Sequence, residues 1–305
     1  MRLIVIPVSF ANLNFDTSDL VTLKNQNALV SQYFARNSWG NARVDFVIPD
    51  DKNWVSLPGN FQDYTQSSVG RTQGISDFLI EEILSRVNKE VGLTDFDIVG
   101  FQTSSSKEFY FASGTMRTSS NAFYSKSGPI KDVFGIGGSS TGDWRVIAHE
   151  LGHNWLGFED LYNHFTGALP LGNWDLMSSL TNLELNGWHR WAARWMQDSQ
   201  VNCLSKDTPA LLQVSPLKSL GKTLLVSIPL QSGKSIFLEY RTPSDYYSGP
   251  DTLLVYYVDT TIWHGSGPYK LVAELENEGD SVVFENQTIR LYEKSENEVY
   301  VAINS

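Results

Sequence analysis

Gly142-Asp143-Trp144-Arg145-Val146-Ile147-Ala148-His149-Glu150-Leu151-Gly152-His153-Asn154-Trp155-Leu156-Gly157 is the stretch from which the rest of the chain is best read. Its apolar positions recur with a helical rather than an alternating period. Gly157 follows as the residue that most readily takes the left-handed conformation at a helix end. Upstream, Ile136-Gly-Gly-Ser-Ser-Thr-Gly142 reads as a flexible approach, and Ser140 with Asp143 has capping-box spacing. A helix beginning near Gly142 is therefore expected. At about 100° per residue, Ile147, Ala148, Leu151 and Trp155 cluster on one side, opposite His149 and His153. Such a helix needs a sheet to receive its apolar side.

The flanking sequence supplies one. Residues 3–8 read as a buried strand, and residues 18–36 as a helix with Val21, Ala28, Leu29 and Tyr33 facing inward. Residues 43–48 alternate like a strand and stop at Pro49. In residues 75–91, Leu79, Ile83, Val87 and Val91 recur every fourth position, as a helix requires. Residues 97–102 form another strand, and residues 103–128 read as strands with loops rich in Ser, Thr and Gly. A further helix is expected over residues 187–198. Beyond Val201 come short apolar runs separated by Pro, Gly, Ser and Asn, the pattern of an all-β module. The expected fold class is α+β, with residues 1–199 as a twisted sheet carrying the helix and residues 200–305 as a β-sandwich-like module.

Composition excludes several classes. The 305 residues carry 23 basic and 34 acidic side chains, a formal charge of -11, which argues against a nucleic-acid partner. With 41% hydrophobic residues and nine Trp the chain can build a sizeable core. No apolar run reaches the roughly 18 residues needed to span a bilayer. The single cysteine, Cys203, rules out an internal disulfide framework and a thiolate metal cluster, and such scarcity leans towards an exported protein. Residues 1–10 are too short in apolar character for a signal core and lack a small-residue cleavage site, so they read as mature strand. A secreted, monomeric protein is expected, with any signal or pro-segment outside this numbering.

The chemistry lies in His149-Glu150-Leu151-Gly152-His153. Two imidazoles one helical turn apart face a single point, the arrangement that suits a divalent zinc ion. Glu150 lies on the same polar side, placed as a general base. A catalytic zinc generally takes three protein ligands and keeps one position open. The turn at Gly157 would swing Glu159 or Asp160 back to the metal. Further on, Asn173-Trp174-Asp175-Leu176-Met177-Ser178-Ser179 resembles the methionine turn beneath the zinc of metzincins, with Met177 as an apolar floor rather than a ligand.

Gly157-x-x-Asp160-Leu161-Tyr162 after this helix, with Trp174-Asp175-Leu176-Met177, resembles the immune inhibitor A-type metallopeptidase family. Similar stretches are Tyr33-Phe34-x-x-Asn37-Ser38-Trp39-Gly40, Phe237-Leu238-Glu239-Tyr240-Arg241 and Leu253-Leu254-Val255-Tyr256-Tyr257-Val258-Asp259. The similarity covers most of the chain, although only the region around the two histidines is diagnostic. It implies a secreted, metzincin-like zinc endopeptidase acting on protein or glycoprotein substrates. One departure stands out: Gly157 is four residues after His153, where the family pattern has three. Counting from His153, the third ligand is Glu159; anchoring on Gly157 and Asp-Leu-Tyr, it is Asp160. The second anchoring is preferred, because the turn after the glycine sets the direction of approach. The resemblance also implies structural calcium, which no Asp-x-Asp-x-Asp-Gly loop places.

His164 could face the cleft as a substitute ligand or an oxyanion donor, or be an ordinary loop residue. His189 is expected to pack at a helix start and His264 to be exposed. Tyr162 reads as a packing residue. The aromatic set Tyr246, Tyr247, Tyr256, Tyr257 and Trp263 reads as core, or as a sugar-binding face; that face motivates the alternative of a glycan- or glycoprotein-binding surface protein retaining a structural zinc. Asn286-Gln287-Thr288 is a glycosylation sequon.

Overall fold

In the computed structural model the described residues are 1–64, 76–106, 110–181, 183–263, 265–295 and 298–304. The chain is mixed α+β and packs as two compact units, Met1–Arg36 with Ala42–Gly157, and Asn37–Asn41 with Phe158–Ser305.

The first unit contains strands β1 (Arg2–Ser9), β2 (Asp45–Val47), β3 (Val55–Ser56), β4 (Ile98–Thr103), β5 (Tyr110–Met116), β6 (Phe123–Ser125), β7 (Gly128–Ile130) and β8 (Asp132–Gly138). Its helices are α1 (Thr17–Asn37, whose last residue falls in the second unit), α2 (Phe61–Tyr64), α3 (Asp77–Arg86) and α4 (Trp144–Leu156). One sheet runs β2-β1-β4-β8-β5, with β3 also on β1; β6 and β7 form a separate hairpin. The β1, β2, β3, β4 and β8 pairings are parallel, and β5 closes the edge antiparallel to β8. Parallel strands covered on both faces read as continuous apolar runs, as Leu3-Ile4-Val5-Ile6 does. Ile4, Ile6, Val8, Val99 and Phe101 pack with Leu79, Ile80, Ile83 and Leu84 of α3. α1 packs on α4 through Tyr33 against Trp144 and Phe34 against Trp155.

Several sequence expectations shift here. In α1, Val21 (55% exposed), Leu29 (41%) and Ala28 face solvent, while Leu23, Val30, Tyr33 and Phe34 are buried. The inward stripe follows Val30 and the two aromatics, which carry the larger apolar area. α3 ends at Arg86, and Val91 lies beyond it in a separate 3-10 turn; Ile75, expected in the helix, lies outside the described residues.

The second unit holds α5 (Gly187–Ala192) and strands β9 (Val201–Cys203), β10 (Ala210–Val214), β11 (Leu225–Gln231), β12 (Lys234–Arg241), β13 (Thr252–Asp259), β14 (Tyr269–Leu275), β15 (Ser281–Phe284), β16 (Gln287–Lys294) and β17 (Val299–Ile303). They form two sheets, β14-β13-β12-β11-β9 and β10-β17-β16-β15. Inward residues of both, among them Val226, Leu238 and Val255 with Ile289, Leu291 and Val301, share one core, which makes the region a sandwich. Glu285 and Asn286 both take positive φ in the two-residue turn joining β15 to β16, the geometry of a tight hairpin, and this exposes the sequon asparagine.

The first compact unit ends at Gly157, and residues 158–199 lie in the same unit as the sandwich. Buried polar bonds tie residues 184–188 to its strands. Arg241 Nη1 donates to Glu184 at 2.8 Å, and the Gly187 N–H donates to Glu239 at 2.5 Å. The Trp188 N–H reaches the Tyr256 hydroxyl at 3.2 Å. α5 is shorter than the helix expected over residues 187–198. Arg194 there adopts φ 60, outside the helical region.

Candidate metal centre

α4 starts where the sequence suggested, by a different cap. Asp143 is the N-cap and its side chain accepts from the Arg145 N–H at 3.0 Å, an oxygen meeting one of the unpaired donors of the first turn. Ser140 instead bonds within its own turn, donating to the Gly137 carbonyl at 2.6 Å. The helix ends at Gly157, whose φ of 68 lets the chain reverse as its N–H returns to the His153 carbonyl at 3.0 Å.

The rotational phase of α4 is set by burial. Ile147, Ala148 and Leu151 are buried, and Asn154 Nδ2 donates to the Val133 carbonyl of β8 at 3.2 Å. A Cβ at Gly114 of β5 would overlap the Asn154 carboxamide, so that glycine is what allows the close approach. With this side against the sheet, His149 and His153 point the other way, both half-buried, and Glu150 is 8% exposed.

The two imidazoles lie perpendicular with centroids 4.8 Å apart, and their Nε2 atoms are separated by 3.2 Å. Two nitrogens each about 2.0–2.1 Å from one tetrahedral ion stand about 3.3 Å apart, so the spacing fits a shared cation. A ring-to-ring hydrogen bond would fall at a similar distance; with a nearby carboxylate the pair makes a group that could hold a cation. His149, His153 and Asp160 each offer one donor atom, and these atoms lie within 4.8 Å of one another. Among the described residues this is the one such group of three or more. Glu159, the other candidate third ligand, is exposed and outside the group.

Asp160 is held from its own segment. The Leu161 N–H donates to the Met177 carbonyl at 3.0 Å, and Met177 is fully buried. The turn at Met177 is pinned by Asp175, which accepts from the Met177 N–H at 2.8 Å, the Asn186 N–H at 2.7 Å and His189 Nδ1 at 3.0 Å. Burial pushes the Asp175 carboxyl up, but the His189 charge and these hydrogen bonds outweigh it and hold the group below the usual carboxylate range. His189 is buried, stacked on Phe158 at 4.1 Å, in keeping with the packing role read for it.

His164, which the sequence allows either to face the cleft or to be an ordinary loop residue, lies beside Asp160. Its Nε2 lies 2.8 Å from Asp160 Oδ2, and the Tyr162 ring sits 5.1 Å from its own. No periodic signal could have paired the two, because residues 157–163 are loop. His264 lies outside the described residues. The aromatic set of the sandwich does not share a face: Tyr247 and Tyr256 are core, whereas Trp263 is 80% exposed. Among the described residues, no helix is long and apolar enough to cross a membrane.

Compared with protein-family models, curated proteins and solved structures, the chain matches none.

Proposed function

We propose that the chain is a secreted, metzincin-like zinc endopeptidase of the immune inhibitor A type. The observation that carries this reading is the meeting of His149, His153 and Asp160 beside Glu150. Two imidazole nitrogens and one carboxylate oxygen are a donor set that zinc accepts, and three of them leave an open position. When bound, zinc polarises a carbonyl and lowers the pKa of a water.

The chain's own residues do the rest. Glu150, about 100° round α4 from His149, receives a proton on its carboxylate from the attacking water and returns it to the departing amine nitrogen. Asp160 adds a negative charge that helps balance the divalent ion. β5 closes the sheet and packs against α4, so an extended peptide is expected to add along its outer edge.

Zinc content of metal-replete Asp160→Ala and Glu159→Ala proteins, with casein cleavage, tests the assignment. The expected outcome is loss of zinc and cleavage in Asp160→Ala and retention of both in Glu159→Ala. A wild-type protein that neither retains zinc nor cleaves casein would end the reading.

A further inference from the structure

We infer that His164, seated on the turn at Gly265, orients the Asp160 carboxylate for the metal. This rests on the zinc reading above and assigns His164 as a positioning residue, not a ligand.

Asp160 stands in loop, where a carboxylate has rotational freedom that is lost on binding an ion. His164 Nε2 is 2.8 Å from Asp160 Oδ2; in its Nε2–H form the ring donates and fixes the plane in which Asp160 presents its charge. His164 is not among the three residues whose donor atoms lie within 4.8 Å of one another. Carboxylates that bind metals are commonly held in this way, and their partners tune affinity.

The imidazole is itself held by the loop between β13 and β14. The backbone N–H of His164 donates to the Gly265 carbonyl at 2.8 Å, and the adjacent Asn163 and Ser266 pair as an isolated antiparallel bridge. Gly265 has φ +70, and a Cβ there would overlap Nδ1, Cε1 and Cγ of the His164 ring. The ring therefore lies directly on Gly265 backbone, a seat that a side chain at 265 would remove. Tyr162 packs on the same ring, tilted at 48°. A loop of the sandwich thus sets the third ligand through His164, although neither Gly265 nor His164 belongs to the His-Glu-x-x-His motif.

The test is the zinc dissociation constant of the full chain by chelator competition, with the melting temperature of the metal-free protein alongside. His164→Ala and Gly265→Ala are expected to bind zinc about 10- to 100-fold more weakly than wild type. The metal-free His164→Ala protein should melt as wild type does. His164→Gln, whose carboxamide also carries a donor, should regain most of the affinity. Zinc affinity of His164→Ala equal to wild type would overturn the inference and leave the zinc reading intact. A loss as large as that of Asp160→Ala, not rescued by His164→Gln, would make His164 a ligand and also overturn it. Failure of the wild-type protein to bind zinc, or unchanged affinity in Asp160→Ala, would remove the reading beneath it. If Gly265→Ala does not fold, the two His164 variants decide the matter.

Discussion

Glu150 differs from its neighbours in α4 in being a buried acid on a helix whose other buried residues are mostly apolar. A carboxylate shielded from solvent is costly unless charges or donors answer it, and in the proposed reading a cation held by His149 and His153 would add to those that do. Glu150→Gln keeps the shape and removes the proton acceptor. Peptide cleavage is expected to fall by about 10²–10⁴-fold, with zinc content unchanged, measured by steady-state kinetics beside metal analysis. At this scale the sequence was informative where the chemistry is local. His149, Glu150 and His153 could be placed on one side of a helix by counting alone. Asp160 against Glu159 could not be settled by counting, because an added residue between His153 and Gly157 allows two counts, and the preference for Asp160 came from the turn at Gly157 instead.

α4 is held by its cap, its terminal glycine and its seat on β8 and β5. Asp143 supplies the cap through its own side chain and also pairs with Arg145 at 2.6 Å. Asp143→Ala is expected to lower stability by about 1 kcal/mol, read as a lower melting temperature of the metal-free protein. A capping role for Ser140 would instead make Ser140→Ala the damaging change. The element boundaries show where periodicity stops being informative. α3 and α4 carry strong apolar stripes and were found within a few residues. α1 has apolar residues on several sides, and its inward face was decided by which of them met α4 and the sheet. Arg194 left the helical region without any Pro or Gly to announce it.

At the scale of the whole molecule, a set of buried charges in the second unit has no counterpart in the sequence reading. Arg241 is 1% exposed and pairs with Glu239 at 2.5 Å and Glu184 at 2.8 Å; Arg190, equally buried, donates to Asn37 at 3.0 Å and to the carbonyls of Leu185 and Leu217. Arg241→Met would leave two buried carboxylates without their main cation, and a loss of about 3–5 kcal/mol is expected in urea unfolding. The same group governs acid stability. Burial pushes the Glu184 carboxyl up, but Arg241 and Arg190, with hydrogen bonds from Ser244 and Arg241, hold it below its ordinary value; Asp175 is also held low. A group with a lowered folded-state pKa contributes stability that is present above the ordinary carboxylate range and is lost as pH falls through the folded value. The urea midpoint should therefore change little from these groups between about pH 7 and 5 and drop below about pH 4.

Although the parallel direction of the strands was not legible in it, local order in the chain was enough to establish an α+β sheet region followed by a β module, the helix with its two imidazoles and carboxylate, and the reversal at Gly157. Those features depend on residues a few positions apart, whose relative placement is dictated by helical or strand geometry. The unit boundary at Gly157, the inward face of α1, the buried network of Arg241 and Arg190, and the seat of His164 on Gly265 depend on residues far apart in sequence, as far as the 153 positions between Asn37 and Arg190. Their proximity is produced by burial of apolar surface across whole sheets, a non-directional force that acts on area and leaves no periodic trace in the order of amino acids.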